Sequence, residues 1–209
     1  MLRRRGKPLE KAAARVCREA GARVAENVLL QNMSLNGISS RDGRQIEVVA
    51  NGLPLWGGAQ LAVDTTLVSP VRRNGLPQPH AENQDGAQLR TARQRKEQKY
   101  RELLQSRRCR LVVLGIEVGG RWSEEALSFV SALAKAKARS SPAILRTSVR
   151  AAFMHRWTGL LAVAAQLAFA ATLLELPVDE AGADAEEPLL EDVLHNGRLL
   201  APIGPSRLL

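Results

Sequence analysis

The chain predicts an α/β fold, a sandwich of two or three layers with a mixed sheet flanked by helices. Three observations lead there. Apolar runs of strand length at residues 45–50, 59–70 and 111–118 carry hydrophobic side chains on both alternating faces, the pattern of strands buried on both sides. Segments with a period near 3.6 residues stand between and after them. The order strand, strand, helix, strand, helix is that of an α/β sandwich with at least part of its sheet buried on both faces.

Taken in order, residues 1–8, with Arg3, Arg4 and Arg5, read as a loose basic arm. From Leu9 to about Glu26, Leu9, Ala12, Ala13, Val16, Ala20 and Val24 recur at helical spacing and predict a first amphipathic helix. Its other face carries Lys11, Arg15, Arg18 and Arg23. Short extended pieces around Val28 and Leu29 are bracketed by the Asn36-Gly37 and Asp42-Gly43 turn signals. A strand over residues 45–50 then stops at Asn51-Gly52, and a loop leads into the strand over residues 59–70. A longer connection over residues 70–85 enters a helix spanning residues 86–104. Its apolar seam is Leu89, Ala92, Tyr100, Leu103 and Leu104, with Lys96 projecting into the middle of that seam. The basic junction Arg107, Arg108, Cys109, Arg110 opens the third apolar strand, which ends at Gly119-Gly120. Ser123, followed by Glu124 and Glu125, predicts a capped helix reaching about Ala138.

Pro142 opens a last helix reaching about Leu176, nearly all apolar between Gly159 and Leu174. Sixteen such residues fall short of the roughly 20 that cross a bilayer. A helix packed on the domain is therefore expected, with a membrane span the minority alternative. The organisation is a basic arm (1–8), an α/β domain (9–140), a long apolar helix packed on it (141–176) and an acidic, mostly disordered tail (177–209).

Charge is unevenly spread. Residues 1–174 hold 28 of the 30 lysines and arginines and 13 of the 21 acids, whereas residues 175–192 hold eight acids and no base. A body this basic fits a polyanion, most commonly nucleic acid. Aromatic residues make up only 3% of the chain, which leaves no stock of rings for base-stacking platforms. Two cysteines without a pairing pattern point to a reducing, intracellular setting. Three scattered histidines and no Cys-x-x-Cys give a structural zinc site little support. No glycine-rich phosphate loop, Gly-x-Ser-x-Gly elbow or His-Glu-x-x-His helix occurs, which removes several enzyme classes.

The candidate chemistry lies where acids interrupt greasy strands. Asp64 sits inside the run Leu61-Ala62-Val63-Asp64-Thr65-Thr66-Leu67-Val68, and an ionised carboxylate there needs a metal ion, a lysine or several donors. Lys96, on the inward seam of the next helix, is the candidate partner; the alternative is that its stem covers the core and its ammonium reaches water. Glu47 interrupts the preceding strand, and a partly exposed strand acid is its plainer reading. Glu117 ends the third strand and is a weaker third ligand.

With Ile46-Glu47, the Asp64 strand, Ala92-Arg93-Gln94-Arg95-Lys96-Glu97-Gln98-Lys99-Tyr100 and the run from Leu111 to Gly120, the chain resembles the restriction-like endonuclease of non-LTR retrotransposon polyproteins. That family belongs to the PD-(D/E)XK superfamily, and the resemblance spans roughly residues 9–138. Its most specific pieces are the Asp-Thr strand and Lys96-x-x-Lys99-Tyr100. The family's Pro-Asp stands here as Ile46-Glu47, with glutamate reaching one methylene further. The resemblance implies a restriction-endonuclease-like core and a nuclear DNA endonuclease using Mg²⁺ or Mn²⁺. Glu47 and Asp64 would be metal ligands with Glu117 as a third, and Glu47, Asp64, Lys96 and Lys99 would be catalytic. Hard cations take oxygen ligands, so paired carboxylates suffice for such chemistry. Phosphate contacts are expected from Arg72, Arg73, Arg90, Arg93, Arg95, Arg107, Arg108 and Arg110. The partner is DNA, or RNA, with a reverse transcriptase module as a further partner. The alternative is a catalytically inactive nucleic-acid-binding remnant of the same fold.

Overall fold

A computed structural model of the chain describes residues 6–173 apart from Ser34 and Arg73. The basic triplet Arg3 to Arg5, Arg73 and the acidic tail therefore lie outside the described residues.

The first helix, α1 (Lys7–Glu19), begins with Pro8 in its opening turn and buries Leu9, Ala13, Ala14, Val16 and Cys17. It starts inside the stretch read as a loose arm and ends well before Glu26. The cause is Gly21, whose φ of +103° no side chain adopts comfortably. Val24 thus belongs to a strand, β1 (Arg23–Leu29), which the helical reading concealed because its residues are mostly exposed or half-buried and lack a clean alternation. Strands β2 (Gln45–Asn51) and β3 (Gln60–Val68) fall where the apolar runs place them.

The helix expected over residues 86–104 is broken. Helix α2 (Ala87–Lys99) and helix α3 (Arg101–Gln105) meet at Tyr100, whose φ of −123° and ψ of 45° are not helical. Strand β4 (Cys109–Glu117) follows, then α4 (Glu124–Ala138), whose cap is Ser123 accepting the Ala126 N–H at 3.1 Å. Helix α5 (Arg146–Leu173) closes the described chain.

The sheet order is β1-β2-β3-β4; β1, β2 and β3 are antiparallel neighbours, and β4 runs parallel to β3 after the α2–α3 crossover. The sheet is mixed and covered on both faces. One face packs Val48, Ala50, Leu61, Val63, Val112, Leu114 and Ile116 against α1, α4 and α5, with Trp157 and Phe129 as the largest buried rings. The other packs Ile46, Val49, Ala62, Leu111 and Val113 against Tyr100 and Leu103. This is an α/β sandwich of three layers.

Helix α5 docks on α1 and α4 through Trp157, Leu161, Ala164, Ala165 and Ala168, and leaves Val163, Leu167 and Leu173 exposed. By length and composition alone, the stretch Ala143–Leu173 is long and apolar enough to cross a membrane. Glu19 ties α5 to α1. It accepts hydrogen bonds from Arg156 (2.7 and 2.9 Å), Trp157 Nε1 (2.8 Å) and Arg15 (2.9 Å).

Candidate active site

Asp64 sits mid-strand in β3 and is 1% exposed, so its charge must be met inside the protein. Lys96 of α2 meets it: the ammonium forms an ion pair with Asp64 Oδ2 and lies 3.5 Å from the Thr65 carbonyl. The lysine read as inward-facing is inward-facing. Beyond that ion pair, Oδ2 has no well-directed hydrogen bond.

The β2–β3 ladder pairs Val48 with Val63 and goes no further, although the same register would set Glu47 opposite Asp64. The strands part there because the Glu47 side chain takes over the ladder's work. Its Oε2 accepts the Thr65 N–H at 2.5 Å and the Thr65 hydroxyl at 2.7 Å. The Glu47 carboxylate is thereby held near enough to Asp64 to feel its charge. Burial, and then the charge of Asp64, push the Glu47 carboxyl up to about 7 against the downward pull of Thr65 and Lys96. Glu47 is partly exposed, as its plainer reading had it, but its carboxylate is engaged by Thr65.

Tyr100 explains the helix break. Its ring is fully buried, and its hydroxyl donates to the Gln45 carbonyl at 2.8 Å and lies 3.3 Å from Asp64 Oδ1. Lys99 donates to the same hydroxyl and lies 4.4 Å above the ring, so it braces the tyrosine. Arg44 holds the other side of the break, donating to the Lys99 carbonyl and pairing with Glu102 at 2.8 Å and Asp42 at 2.6 Å.

The sequence reading did not single out Glu10. It stands in the first turn of α1, and its carboxyl is pushed above the usual range by burial and then by the charge of Asp64, with Lys96 pulling the other way. The signal was hidden because Glu10 adjoins Leu9 on the helix and reads as the polar margin of an amphipathic face. Glu117, by contrast, is not brought to the site. It pairs with Val68, four residues beyond Asp64 along β3, and its carboxylate meets Arg121 at 3.3 Å.

The donor set fits a hard divalent cation in part. Glu47 and Asp64 offer oxygen ligands of like charge that a cation would relieve, and such ions keep several waters. No group of three or more Asp, Glu, His or Cys able to hold a metal occurs among the described residues.

The expected phosphate-contacting arginines are scattered. Arg72, Arg95, Arg107 and Arg108 are exposed. Arg93 is engaged with Glu125 at 2.7 Å and Glu97 at 3.4 Å, and Arg90 donates to the Asp85 carbonyl at 2.7 Å. Arg110 lies over the Trp56 ring at 4.4 Å. Comparison with protein-family models and with curated proteins finds no match to this chain.

Proposed function

We propose that this chain is a divalent-metal-dependent endonuclease hydrolysing DNA phosphodiester bonds, a retrotransposon-derived module with a restriction-endonuclease-like core. The observation that carries the reading is the meeting of a buried strand acid, Asp64, with a helix lysine, Lys96, beside a second carboxylate, Glu47, where two strands part. The three-layer sandwich supports it by holding these groups on rigid elements.

A Mg²⁺ or Mn²⁺ ion held by Asp64 and Glu47 would supply charge neutralisation at the phosphate and an activated water. The chain's own residues do the rest. Lys96 orients the attacking water and offsets the charge that grows on the phosphate oxygens. Thr65 fixes the Glu47 carboxylate through two hydrogen bonds, so one oxygen stays directed. Lys99 acts through Tyr100, bracing the helix break that aims Lys96. Exposed Arg72, Arg95, Arg107 and Arg108 contact the backbone of DNA, or of RNA, without reading sequence. A reverse transcriptase module as partner and a nuclear setting belong to the same proposal.

The test is nicking of supercoiled plasmid with Mg²⁺ or Mn²⁺. Asp64→Asn and Lys96→Ala should each lower the rate at least about 100-fold while plasmid binding persists. A second reading, an inactive nucleic-acid-binding remnant, is favoured by the Lys96 ammonium already sitting on Asp64 with no third acid among the described residues. Equal binding without cleavage by any form, wild type included, establishes the remnant instead.

A further inference from the structure

Strand β4 is an edge strand, yet every residue in it except Arg110 is buried. A buried edge raises a definite question: where do its outward backbone groups go? Gln60 N–H donates to the Arg108 carbonyl (3.0 Å) and Val118 N–H to the Val68 carbonyl (2.9 Å). These bonds set the phase of the ladder, so even-numbered residues of β4 turn toward β3 and odd-numbered ones turn outward.

Some of the outward groups are met locally. Glu117 N–H donates to the Arg121 carbonyl at 2.8 Å, and the Gly115 carbonyl accepts Ser123 N–H at 2.9 Å. Cys109 N–H donates to Ser106 Oγ at 3.2 Å. The Cys109 and Val113 carbonyls and the Gly115 N–H have no hydrogen bond among the described residues, and at the groove the least satisfied residue is Leu111. Only 3% exposed, it has neither its N–H nor its C=O paired among the described residues. Beside it opens a cavity of about 370 Å³ lined by Trp56, Leu104, Arg107 and Arg110.

We propose that this groove takes one extended, acidic peptide segment, which adds to the sheet as a fifth strand at Leu111. Only an extended backbone offers a C=O and an N–H at the spacing that both groups of one strand residue require. The walls choose the side chains. Trp56 and Leu104, 40% and 48% exposed, offer an apolar contact at the rim. Arg107 and Arg110 have no ion pair among the described residues and favour a carboxylate, whereas Arg93 is already answered by Glu125. Trp56 is held over the groove by a backbone in the left-handed region (φ 46°), followed by Gly57 and Gly58 at positive φ, a conformation costly for a bulky residue and common at binding sites.

The test selects binders to the full chain from a display library of randomised eight-residue peptides. The selected peptide is then compared with an analogue N-methylated at alternate amides. The expected result is enrichment of peptides alternating apolar and acidic residues and slowed hydrogen exchange at the Leu111 amide. N-methylation and Arg110→Glu should each weaken binding at least tenfold, while Asp64→Asn, in the separate candidate active site, leaves it unchanged. The proposal is overturned if the library yields no binder, if the N-methylated analogue binds as well, or if a thymidine decanucleotide rather than the peptide protects the Leu111 amide. Because binding is read without metal or cleavage, its failure is distinct from failure of the nuclease reading.

Discussion

At the scale of single residues, Glu47 carries the sharpest expectation. A carboxyl whose pKa is about 7 when folded and near 4.5 when unfolded holds its proton longer in the folded state. Its contribution is therefore whole below pH 4.5 and lost as pH rises toward 7, on the order of 2 to 3 kcal/mol. Denaturation of metal-free protein should show stability declining across that window, and Glu47→Gln should flatten the decline. A profile unaltered by the substitution would place the titration elsewhere. Glu19 behaves oppositely. Burial raises its carboxyl, but hydrogen bonds from Arg156, Trp157 and Arg15 outweigh this and bring it down to about 2. The stability it confers is present above pH 4.5 and disappears as pH falls toward 2. Glu19→Ala should cost about 2 kcal/mol at neutral pH, read as a lower denaturation midpoint, because the buried Trp157 N–H loses its acceptor.

Among the elements, α1 shows how one backbone position overrides periodicity. Val24 continues the helical spacing of Leu9, Ala13, Val16 and Ala20, yet Gly21 at φ +103° ends the helix and releases Val24 into β1. A Cβ at Gly21 would meet no neighbouring atom, so Gly21→Ala isolates backbone strain. It should destabilise by about 1 kcal/mol, and a neutral thermal shift would argue that the turn relaxes freely. The break at Tyr100 has a different origin. Nothing in its neighbourhood resembles a helix stop signal, and the cause is a hydroxyl drawn to Gln45 and Asp64 from elements far away in sequence. The capped start of α4 at Ser123, a purely local signal, was legible.

For the whole molecule, the basic surface sets how any nucleic acid is held. Arg72 and Arg95 are exposed, with no ion pair among the described residues. If they contact phosphates, removing either should lower the dependence of log affinity on log salt by about one unit. An unchanged slope for Arg72→Gln and Arg95→Gln in a filter-binding titration would move the interface to another face.

Residues within a few positions of one another determined much of this protein. Apolar runs marked β2, β3 and β4 because burial on both faces leaves no polar alternation, and an acid inside such a run announced itself at Asp64. Lys96 was legible for the same reason, as a cation on a seam that should be apolar. Only the tertiary structure decided which acids share a place. Glu47 is brought in by the parting of β2 from β3 and Glu117 is carried away by strand register, and neither placement is encoded in spacing along the chain.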